Sequence, residues 1–481
     1  MGGEADGVGE ACGVVGVAGA DSFASHLLQL ALMALQHRGQ ESAGIATSDG
    51  QDICIDKDMG LVSQIFSEHR LASLPGSVGI GHTRYSTSGS SVWSNAQPVL
   101  GGYGAKQFAL AHNGNLVNAV HLGELLGLQG LDQFTDSDIV VRHVTKTMAT
   151  MPSDEDVLVS SLLAVAPKLL GAYSFVILDR NRIMGMRDPQ GFRPLCLGRL
   201  HDTWVLASET PALDVLGAQF VREVMPGELI VLTSGCDPVS FRFGTDPQPT
   251  ASAMCVFEYV YFARPDGVLA GKGVHAARKR MGRALAWESP VPADVVIPVP
   301  DSSVPGAMGY SEETGIPFED GFIKNRYIGR SFMAPNQELR EAAVRVKLNV
   351  IRENVIGKRV VVVEDSIVRA TTLLGTMKML REAGAVEIHL RVLSPPYRWP
   401  CFFGMDTGKR DELIAANHSV EEIRKILGAD SLAYLPYDAM VKAIEAPVGF
   451  CGACLTGEYP VPLPTLLKVR TDGGGSSKAP D

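Results

Sequence analysis

Cys12 is the first cysteine of the chain, and its thiol could act as a nucleophile. It opens a short apolar run, Cys12–Val17, directly behind a leader rich in glycine and acidic residues. If the chain were cleaved after Ala11, the α-amine of Cys12, with a pKa of about 8, could act as the general base for its own thiol. By position alone, a small buried core thiol is the more ordinary interpretation.

Four further segments supply the groups that amide hydrolysis at such a thiol requires. They are His37-Arg-Gly-Gln-Glu-Ser-Ala-Gly, Gly81-His-Thr-Arg-Tyr-Ser-Thr, His112-Asn-Gly-Asn-Leu and Thr135-Asp-Ser-Asp. An arginine and an aspartate can hold the α-carboxylate and α-ammonium groups of glutamine, while an asparagine side chain and a glycine N–H can form an oxyanion hole. Taken singly, each segment could be a turn.

Together and in this order, the four segments resemble the class II glutamine amidotransferases, and the resemblance covers the first half of the chain. It implies an α+β N-terminal-nucleophile glutaminase domain with αββα layers and a removable propeptide, residues 1–11. An inactive domain of the same fold is the alternative. The roles implied by the resemblance are Cys12 as nucleophile, Arg84 and Asp136 as glutamine-binding residues, and Asn113 with Gly114 as the oxyanion hole.

A second group of polar residues follows an apolar run in the second half of the chain. The segment Val360-Val-Val-Val-Glu-Asp-Ser-Ile-Val-Arg-Ala-Thr-Thr places Glu364 and Asp365 at the carboxyl end of a predicted buried strand. Open α/β sheets bind ligands at this edge. Backbone N–H groups of the loop and the following helix can hold a phosphate, and the carboxylates can hold ribose hydroxyls and help to retain Mg²⁺. Solvated turn residues are the alternative.

This segment resembles the 5-phosphoribosyl 1-pyrophosphate (PRPP) motif of type I phosphoribosyltransferases, which have an α/β fold. Three more segments narrow the resemblance to the amidophosphoribosyltransferases: Phe257-Glu-Tyr-Val-Tyr-Phe-Ala-Arg-Pro-Asp, Pro298-Val-Pro-Asp-Ser-Ser and Lys324-Asn-Arg-Tyr-Ile-Gly-Arg-Ser-Phe. The implied PRPP-binding residues are Glu364, Asp365, Ser366, Arg369, Thr371, Thr372, Lys324 and Arg330. Cations that could neutralise the leaving pyrophosphate include Arg326 and Lys347, and the positions associated with Mg²⁺ are Ser302, Glu364 and Asp365.

The reaction implied by the resemblance starts from glutamine, PRPP and water. Ammonia released at Cys12 would pass between the domains and attack C1 of PRPP, giving 5-phosphoribosylamine, glutamate and pyrophosphate in the first committed step of purine synthesis. The resemblance also implies feedback inhibition by purine nucleotides and a homo-oligomer, either a dimer or a tetramer. Two alternatives are a class II amidotransferase with another acceptor, such as a sugar phosphate, and a non-catalytic regulatory paralog.

Two positions depart from the pattern of that family. The family usually has Asp-Asp-Ser-Ile-Val-Arg-Gly-Thr-Thr, whereas this chain has Glu364 and Ala370. Glutamate keeps the charge and lengthens the reach of the side chain. If the backbone at Ala370 requires a positive φ, its Cβ would cost about 1 kcal/mol and weaken phosphate binding.

Eight cysteines in a chain without a secretory signal predict thiols or metal ligands rather than disulfides. A single C-x-x-C pair is weak evidence, and four thiolates suit either Zn²⁺ or an iron–sulfur cluster. One branch of the resembled family carries a propeptide and a [4Fe–4S] cluster. By that resemblance one cluster per subunit is expected, held by Cys255, Cys401, Cys451 and Cys454; the ordinary thiols are Cys54, Cys196 and Cys236.

The bulk composition limits the classes of partner. The chain has 481 residues, of which 46% are hydrophobic, and a net charge of −10. This length suits two domains, and the negative charge argues against nucleic acid or an anionic membrane as the main binding surface. Because the chain has neither a signal sequence nor a run of about 20 apolar residues, we expect a cytoplasmic protein.

Sequence periodicity predicts the elements that must position these residues. In the first domain, 12–245, we expect helices at Ser25–His37 and Ser137–Ala149 and strands at Val78–Tyr85 and Phe108–His112. A linker-like composition from Gly244 separates it from the second domain, 246–470, and a disordered tail is expected at 471–481.

In the second domain, continuous apolar runs predict strands buried on both faces of a parallel sheet. These runs are Asp294–Val299 and Arg359–Val363, and a further strand is predicted at Val386–Leu393. Between the last two we expect a helix that ends near Gly384. Its buried face is predicted to consist of Leu373, Leu374, Met377 and Leu380.

Overall fold

A computed structural model describes most of the chain. The described residues are 11–19, 23–85, 92–152, 156–244, 252–325, 348–405, 407, 409–465 and 467. The predictions for residues 1–10, Arg326, Arg330, Lys347 and 471–481 lie outside these ranges. No helix in the described ranges is long and apolar enough to cross a membrane.

The first domain contains two antiparallel sheets. Its strands are β1 (Gly13–Ala18), β2 (Ser42–Ser48), β3 (Ile53–Met59), β4 (Val78–Arg84), β5 (Val99–Tyr103), β6 (Lys106–Leu116), β7 (Gly171–Leu178), β8 (Arg182–Arg187), β9 (Cys196–Leu200), β10 (Thr203–Ala207), β11 (Gln219–Glu223), β12 (Glu228–Thr233) and β13 (Val239–Arg242). One sheet has the order β11-β9-β10-β1-β4-β2-β3, and the other has the order β13-β12-β8-β7-β6-β5.

Helices cover the outer face of each sheet. They are α1 (Ala24–Ala34), α2 (Val62–Ile65), α3 (Glu68–Ala72), α4 (Ala119–Leu126), α5 (Asp136–Met148), α6 (Val157–Val165) and α7 (Thr210–Leu216). One core, which includes Val14, Ile80 and Val176, lies between the sheets, whereas α1 and α7 pack on one outer face and α5 and α6 on the other. The predicted αββα layering is therefore confirmed.

The second domain is built on a four-stranded parallel sheet. The strands of the whole domain are β14 (Met254–Cys255), β15 (Val268–Leu269), β16 (Lys272–Gly273), β17 (Val295–Pro298), β18 (Phe322–Lys324), β19 (Leu348–Val350), β20 (Arg359–Glu364), β21 (Glu387–Val392), β22 (Ser431–Tyr434) and β23 (Phe450–Cys451). The central sheet has the order β17-β20-β21-β22, and each neighbouring pair is parallel. The predicted α/β fold is confirmed.

Helices lie on both faces of the parallel sheet. They are α8 (Val274–Glu288), α9 (Val304–Thr314), α10 (Arg352–Val355), α11 (Thr371–Glu382), α12 (Ile414–Asn417), α13 (Val420–Leu427), α14 (Tyr437–Ile444) and α15 (Ala453–Thr456). Met281, on α8, packs on one face, and Leu380, on α11, packs on the other. The prediction for Leu374 was wrong: this side chain is 38% exposed, because Thr376 and Met379 contribute to the buried side of α11 instead.

Candidate active sites

Cys12 lies at the start of β1, near the middle of its sheet. In the register of β1 with β4, Gly13 is opposite Thr83, and this pairing brings Arg84 beside Cys12. The Cys12 Sγ donates a hydrogen bond to the Tyr85 carbonyl at 3.5 Å. Burial raises the pKa of the thiol, while that hydrogen bond and the charge of Arg84 oppose the increase.

Asn113 and Gly114 lie within β6 rather than in a turn after it. The Asn113 side chain is 1% exposed, and neither of its polar atoms has a hydrogen-bond partner among the described residues. Gly114 has a φ of +148°, and a Cβ there would lie 2.1 Å from the Ala172 carbonyl oxygen. Since buried amides are normally paired, the Asn113 amide is suited to a ligand that arrives from outside.

Asp136 begins α5 and lies close enough to Cys12 for its negative charge to raise the pKa of the thiol. Its carboxylate accepts hydrogen bonds from the backbone N–H groups of Leu116 (3.1 Å) and Ser137 (2.8 Å). Burial alone would raise the pKa of Asp136, but the neighbouring His112 and these hydrogen bonds hold it below its ordinary value. The carboxylate therefore stays ionised beside the thiol, as a binding site for an ammonium group requires.

Two buried histidines, His82 and His112, lie near these residues and were not identified as site residues from the sequence. The His82 Nε2 lies 3.0 Å from the His112 carbonyl oxygen, and the backbone N–H of His112 donates to the Gln97 side-chain oxygen at 2.7 Å. Burial lowers the pKa of His82 to about 3, so the ring is neutral. The only sequence signal was that both histidines belong to the motifs that carry Arg84 and Asn113.

The second site lies at the carboxyl end of β20, the second strand of the parallel sheet. Ser302 and Ser366 both donate their hydroxyl hydrogens to the Asp365 carboxylate. Burial and the closeness of the two carboxylates raise the pKa of Glu364, and burial raises that of Asp365. The structure thus brings together the three residues predicted to be associated with Mg²⁺.

Several predicted PRPP-binding residues lie in the loop and helix that follow this carboxylate pair, and Lys324 ends β18. Thr371 and Thr372 are exposed in the first turn of α11. The Arg369 guanidinium donates to Glu412 at 2.9 Å, and the Lys324 ammonium lies 2.6 Å from an Asp301 carboxylate oxygen. Both cations are therefore held by acidic partners, which the sequence motifs did not indicate.

Ala370 adopts the left-handed conformation that the comparison with the family motif suggested. Its φ is +69° and its ψ is 0°, at the residue that precedes α11. The side chain is 3% exposed and packs in the core below the loop. An L-residue in this region is strained by roughly 1–2 kcal/mol, so the chain accepts a cost that glycine would avoid.

The four candidate cluster ligands are neighbours in the second domain. Cys255 on β14 is paired with Cys451 on β23, and the Phe403 N–H points at the Cys401 Sγ at 3.4 Å. Burial is the main cause that raises the pKa of each thiol, and the charges of the other thiols add to it at Cys454. In the described part of the chain, no three or more Cys, His, Asp or Glu side chains form a group that could hold a metal ion.

The fold and the two sites define a glutamine amidotransferase joined to a phosphoribosyltransferase. Residues 82–215 match the family model described as a glutamine amidotransferase domain, and residues 274–396 match that of the phosphoribosyl transferase domain.

Similar proteins narrow this class. The amidophosphoribosyltransferase of Mycobacterium tuberculosis (strain ATCC 25618 / H37Rv) is 46% identical over 469 residues, which cover 95% of this chain and 87% of the relative. That of Archaeoglobus fulgidus is 46% identical, with 94% of this chain and 98% of the relative covered. A solved structure described as glutamine PRPP amidotransferase from B. subtilis, complexed with ADP and GMP, is 43% identical, with a TM-score of 0.86 and coverage of 94% and 98%.

The chain belongs to the amidophosphoribosyltransferase family. It is a glutamine-dependent phosphoribosyltransferase that uses PRPP and catalyses the first step of purine biosynthesis. The predicted enzyme class and pathway are confirmed.

Proposed function

We propose that glutamine is hydrolysed at Cys12 and that the released ammonia attacks C1 of PRPP bound at the end of β20. The observation that carries this assignment is the buried Asn113 amide without a partner among the described residues, on a strand of the sheet that packs against the sheet of Cys12. The Cys12 thiol attacks the side-chain amide carbon of glutamine, and the free α-amine of Cys12 accepts the thiol proton. The α-ammonium group then returns this proton to the amide nitrogen, the C–N bond breaks, and ammonia leaves as the thioester forms. Water then hydrolyses the thioester to glutamate and regenerates the thiol.

Arg84 and Asp136 bind the two charged groups of glutamine. The Arg84 guanidinium pairs with the α-carboxylate, and the ionised Asp136 accepts hydrogen bonds from the α-ammonium group. The Asn113 amide and the Gly114 N–H donate to the oxygen that becomes negative in the tetrahedral intermediate. The positive φ at Gly114 supports this role because it gives the local N–H an orientation that other residues rarely allow.

The loop from Glu364 to Thr372 binds PRPP. The N–H groups of the loop and the hydroxyls of Thr371 and Thr372 hold the 5-phosphate at the start of α11, and Ser366 joins them when its hydroxyl turns from the Asp365 carboxylate to the phosphate. The Glu364 and Asp365 carboxylates accept hydrogen bonds from the ribose hydroxyls. Either these hydrogen bonds or a nearby cation offset the burial that raises the pKa of both carboxyls and the neighbouring charge that adds to it at Glu364.

Pyrophosphate leaves from the opposite side of C1, toward the cationic residues. Lys324 exchanges Asp301 for the pyrophosphate, and Arg369 and Arg330 add positive charge. Ser302, Glu364 and Asp365 provide the oxygen atoms that suit Mg²⁺, which neutralises the leaving group when it is bound.

Cys255, Cys401, Cys451 and Cys454 hold one [4Fe–4S] cluster per subunit. Cys255, Cys451 and Cys454 are buried and Cys401 is half-buried, and the Phe403 N–H points at the Cys401 sulfur; together the four thiols supply the donor type that such a cluster requires. The same proposal includes removal of residues 1–11 and domain limits at 12–245 and 246–470. Cys401→Ser should lose iron and folded yield together, whereas normal iron content and stability in that variant would refute the cluster.

Regulation and assembly complete the proposal. Purine nucleotides act as feedback inhibitors, and this inference is supported by the ADP and GMP in the B. subtilis structure. The working enzyme is a homodimer or a homotetramer. Inhibition by added nucleotide and the mass in solution test these two statements independently.

The decisive experiment is anaerobic turnover with glutamine, PRPP and Mg²⁺, in which glutamate and pyrophosphate are measured together. Cys12→Ala should abolish glutamine-dependent release of both products. Cys236→Ala is the matched control, because Cys236 is an exposed thiol of the same domain. Glutamate without pyrophosphate would indicate another acceptor. Neither product from leader-free protein with its cluster would favour a regulatory paralog.

A further inference from the structure

The segment Cys401–Gly404 extends from the cysteine site into the first domain. The Phe402 carbonyl oxygen accepts a hydrogen bond from the Asn115 Nδ2 at 2.9 Å. Asn115 directly follows Gly114 in β6, so this hydrogen bond reaches the residue next to the proposed oxyanion hole.

A second hydrogen bond fixes the same segment beside the first. The Phe403 carbonyl oxygen accepts from the buried Arg193 guanidinium at 2.9 Å. The rings of Phe192 and Phe403 stack with their centroids 4.4 Å apart. At Gly404, a Cβ would lie 3.4 Å from the Gly114 carbonyl carbon, so the segment packs directly against the backbone of β6.

The other end of the segment depends on the cysteine site. The Phe403 N–H lies 3.4 Å from the Cys401 Sγ, and the Cys401 N–H donates to the Thr407 hydroxyl at 3.2 Å. A common apolar core also joins Phe402 and Phe403 to Cys451 and, in the first domain, to Ala172 on β7. The direction of the two phenylalanine carbonyls is therefore coupled to whatever the thiols bind.

We propose that Asn115 and Arg193 are positioning residues through which the cysteine site holds the Asn113–Gly114 oxyanion hole in its productive geometry. This inference rests on the roles proposed above for Asn113 and for the cysteines. Displacement of a reacting group by about 1 Å can lower a rate by about 100-fold. Loss of the group bound by the thiols would therefore slow glutamine hydrolysis in protein that is still folded.

Asn115→Leu tests the first of these contacts, because leucine has a similar size but cannot donate a hydrogen bond. We expect a kcat for glutamine hydrolysis about 10 to 100 times lower and a KM within about 3-fold, since Arg84 and Asp136 are unchanged. Tyr459→Phe is the matched control. It removes a 2.7 Å hydrogen bond to the carbonyl of Pro400, the residue before the segment, but keeps the Asn115 and Arg193 contacts, and should leave kcat unchanged.

Two covalent reagents distinguish a displaced oxyanion hole from a general loss of structure around Cys12. A glutamine-like diazoketone places its carbonyl oxygen in the oxyanion hole, whereas iodoacetamide reports on access to the Cys12 thiol and its ionisation. Asn115→Leu should slow inactivation by the diazoketone about as much as it lowers kcat, with the iodoacetamide rate within about 2-fold of wild type. Anaerobic removal of iron from the wild type should reproduce this selective loss.

Pyrophosphate release with free ammonia does not require glutamine hydrolysis, so it shows whether a variant is still folded. If Asn115→Leu reduces it as well, Arg193→Lys, which keeps the charge but loses the guanidinium geometry, replaces that variant in the same comparison. An unchanged kcat, or equal slowing with both reagents, would overturn the positioning role. Iron and sulfide analysis of the same preparation tests the cluster separately, and hydrolysis that survives in Cys12→Ala would instead refute the proposed function.

Discussion

Replacing Glu258 by glutamine should destabilise the protein more than any ordinary surface change, because Glu258 joins the two domains through buried charges. Its carboxylate is fully buried and accepts from Arg38 at 3.0 and 2.8 Å and from Arg193 at 3.1 Å. The Arg38 Nε in turn donates to the Cys12 carbonyl at 3.0 Å. The network therefore reaches the backbone of the proposed nucleophile.

The size of the effect follows from the number of buried charges. In the wild type, two guanidinium groups face the carboxylates of Glu258 and Glu209, all at most 1% exposed. Glu258→Gln leaves two buried cations with one carboxylate and turns an amide N–H group toward an arginine. Removing one partner of a buried ion pair costs roughly 3–5 kcal/mol. That is a large part of the roughly 5–15 kcal/mol that stabilises a typical protein.

Urea unfolding at pH 7 measures this loss as a shift of the midpoint at constant slope. Glu421→Gln is the control, because Glu421 pairs with Arg424 at 2.7 Å on the surface and is 58% exposed. Such an exposed pair contributes about 0–1 kcal/mol. If Glu258→Gln cost no more than this control, the buried network would not be what joins the domains.

Three further changes test individual features of the two sites. Gly114→Ala places a Cβ 2.1 Å from a carbonyl oxygen. It should lower kcat for glutamine hydrolysis about 100- to 1000-fold and spare pyrophosphate release with ammonia; equal loss of both activities would contradict the oxyanion assignment. Ala370→Gly relieves a left-handed alanine, but the more flexible unfolded chain and the lost buried methyl offset that gain. We expect the free energy of unfolding within about 1 kcal/mol of wild type and a several-fold lower Kd for PRPP by calorimetry, whereas a higher Kd would refute the reasoning. Burial lowers the pKa of His82 to about 3. The unfolded state binds a proton on this histidine at about pH 6.5, whereas the folded state does not. The free energy of unfolding should therefore be highest above about pH 6.5 and should fall as the pH drops toward 3. His82→Gln should therefore lose less stability than wild type across this range in urea unfolding, and equal losses would contradict it. Asp188, whose pKa burial raises to about 6, is common to both proteins and cancels in the comparison.

Local motifs provided the candidate residues of both sites. Cys12, Asn113 and Asp365 were identified because each lies in a short segment whose neighbours have matching chemistry. The parallel sheet was predictable because strands buried on both faces, such as Arg359–Glu364, form continuous apolar runs. The error at Leu374 has a physical cause. Helical spacing identifies the apolar face of a helix, but it does not show how wide a strip of that face the sheet covers.

The sequence by itself determined the chemical identity of both sites, because the side chains that carry it lie in short contiguous segments within strands or directly after them. Only the tertiary structure decided how the sites are joined. The contact between Arg38 and Glu258 spans 220 positions, and that between Asn115 and Phe402 spans 287. Spacing along the chain carries no information about such distances, because they depend on how two separately layered domains pack against each other.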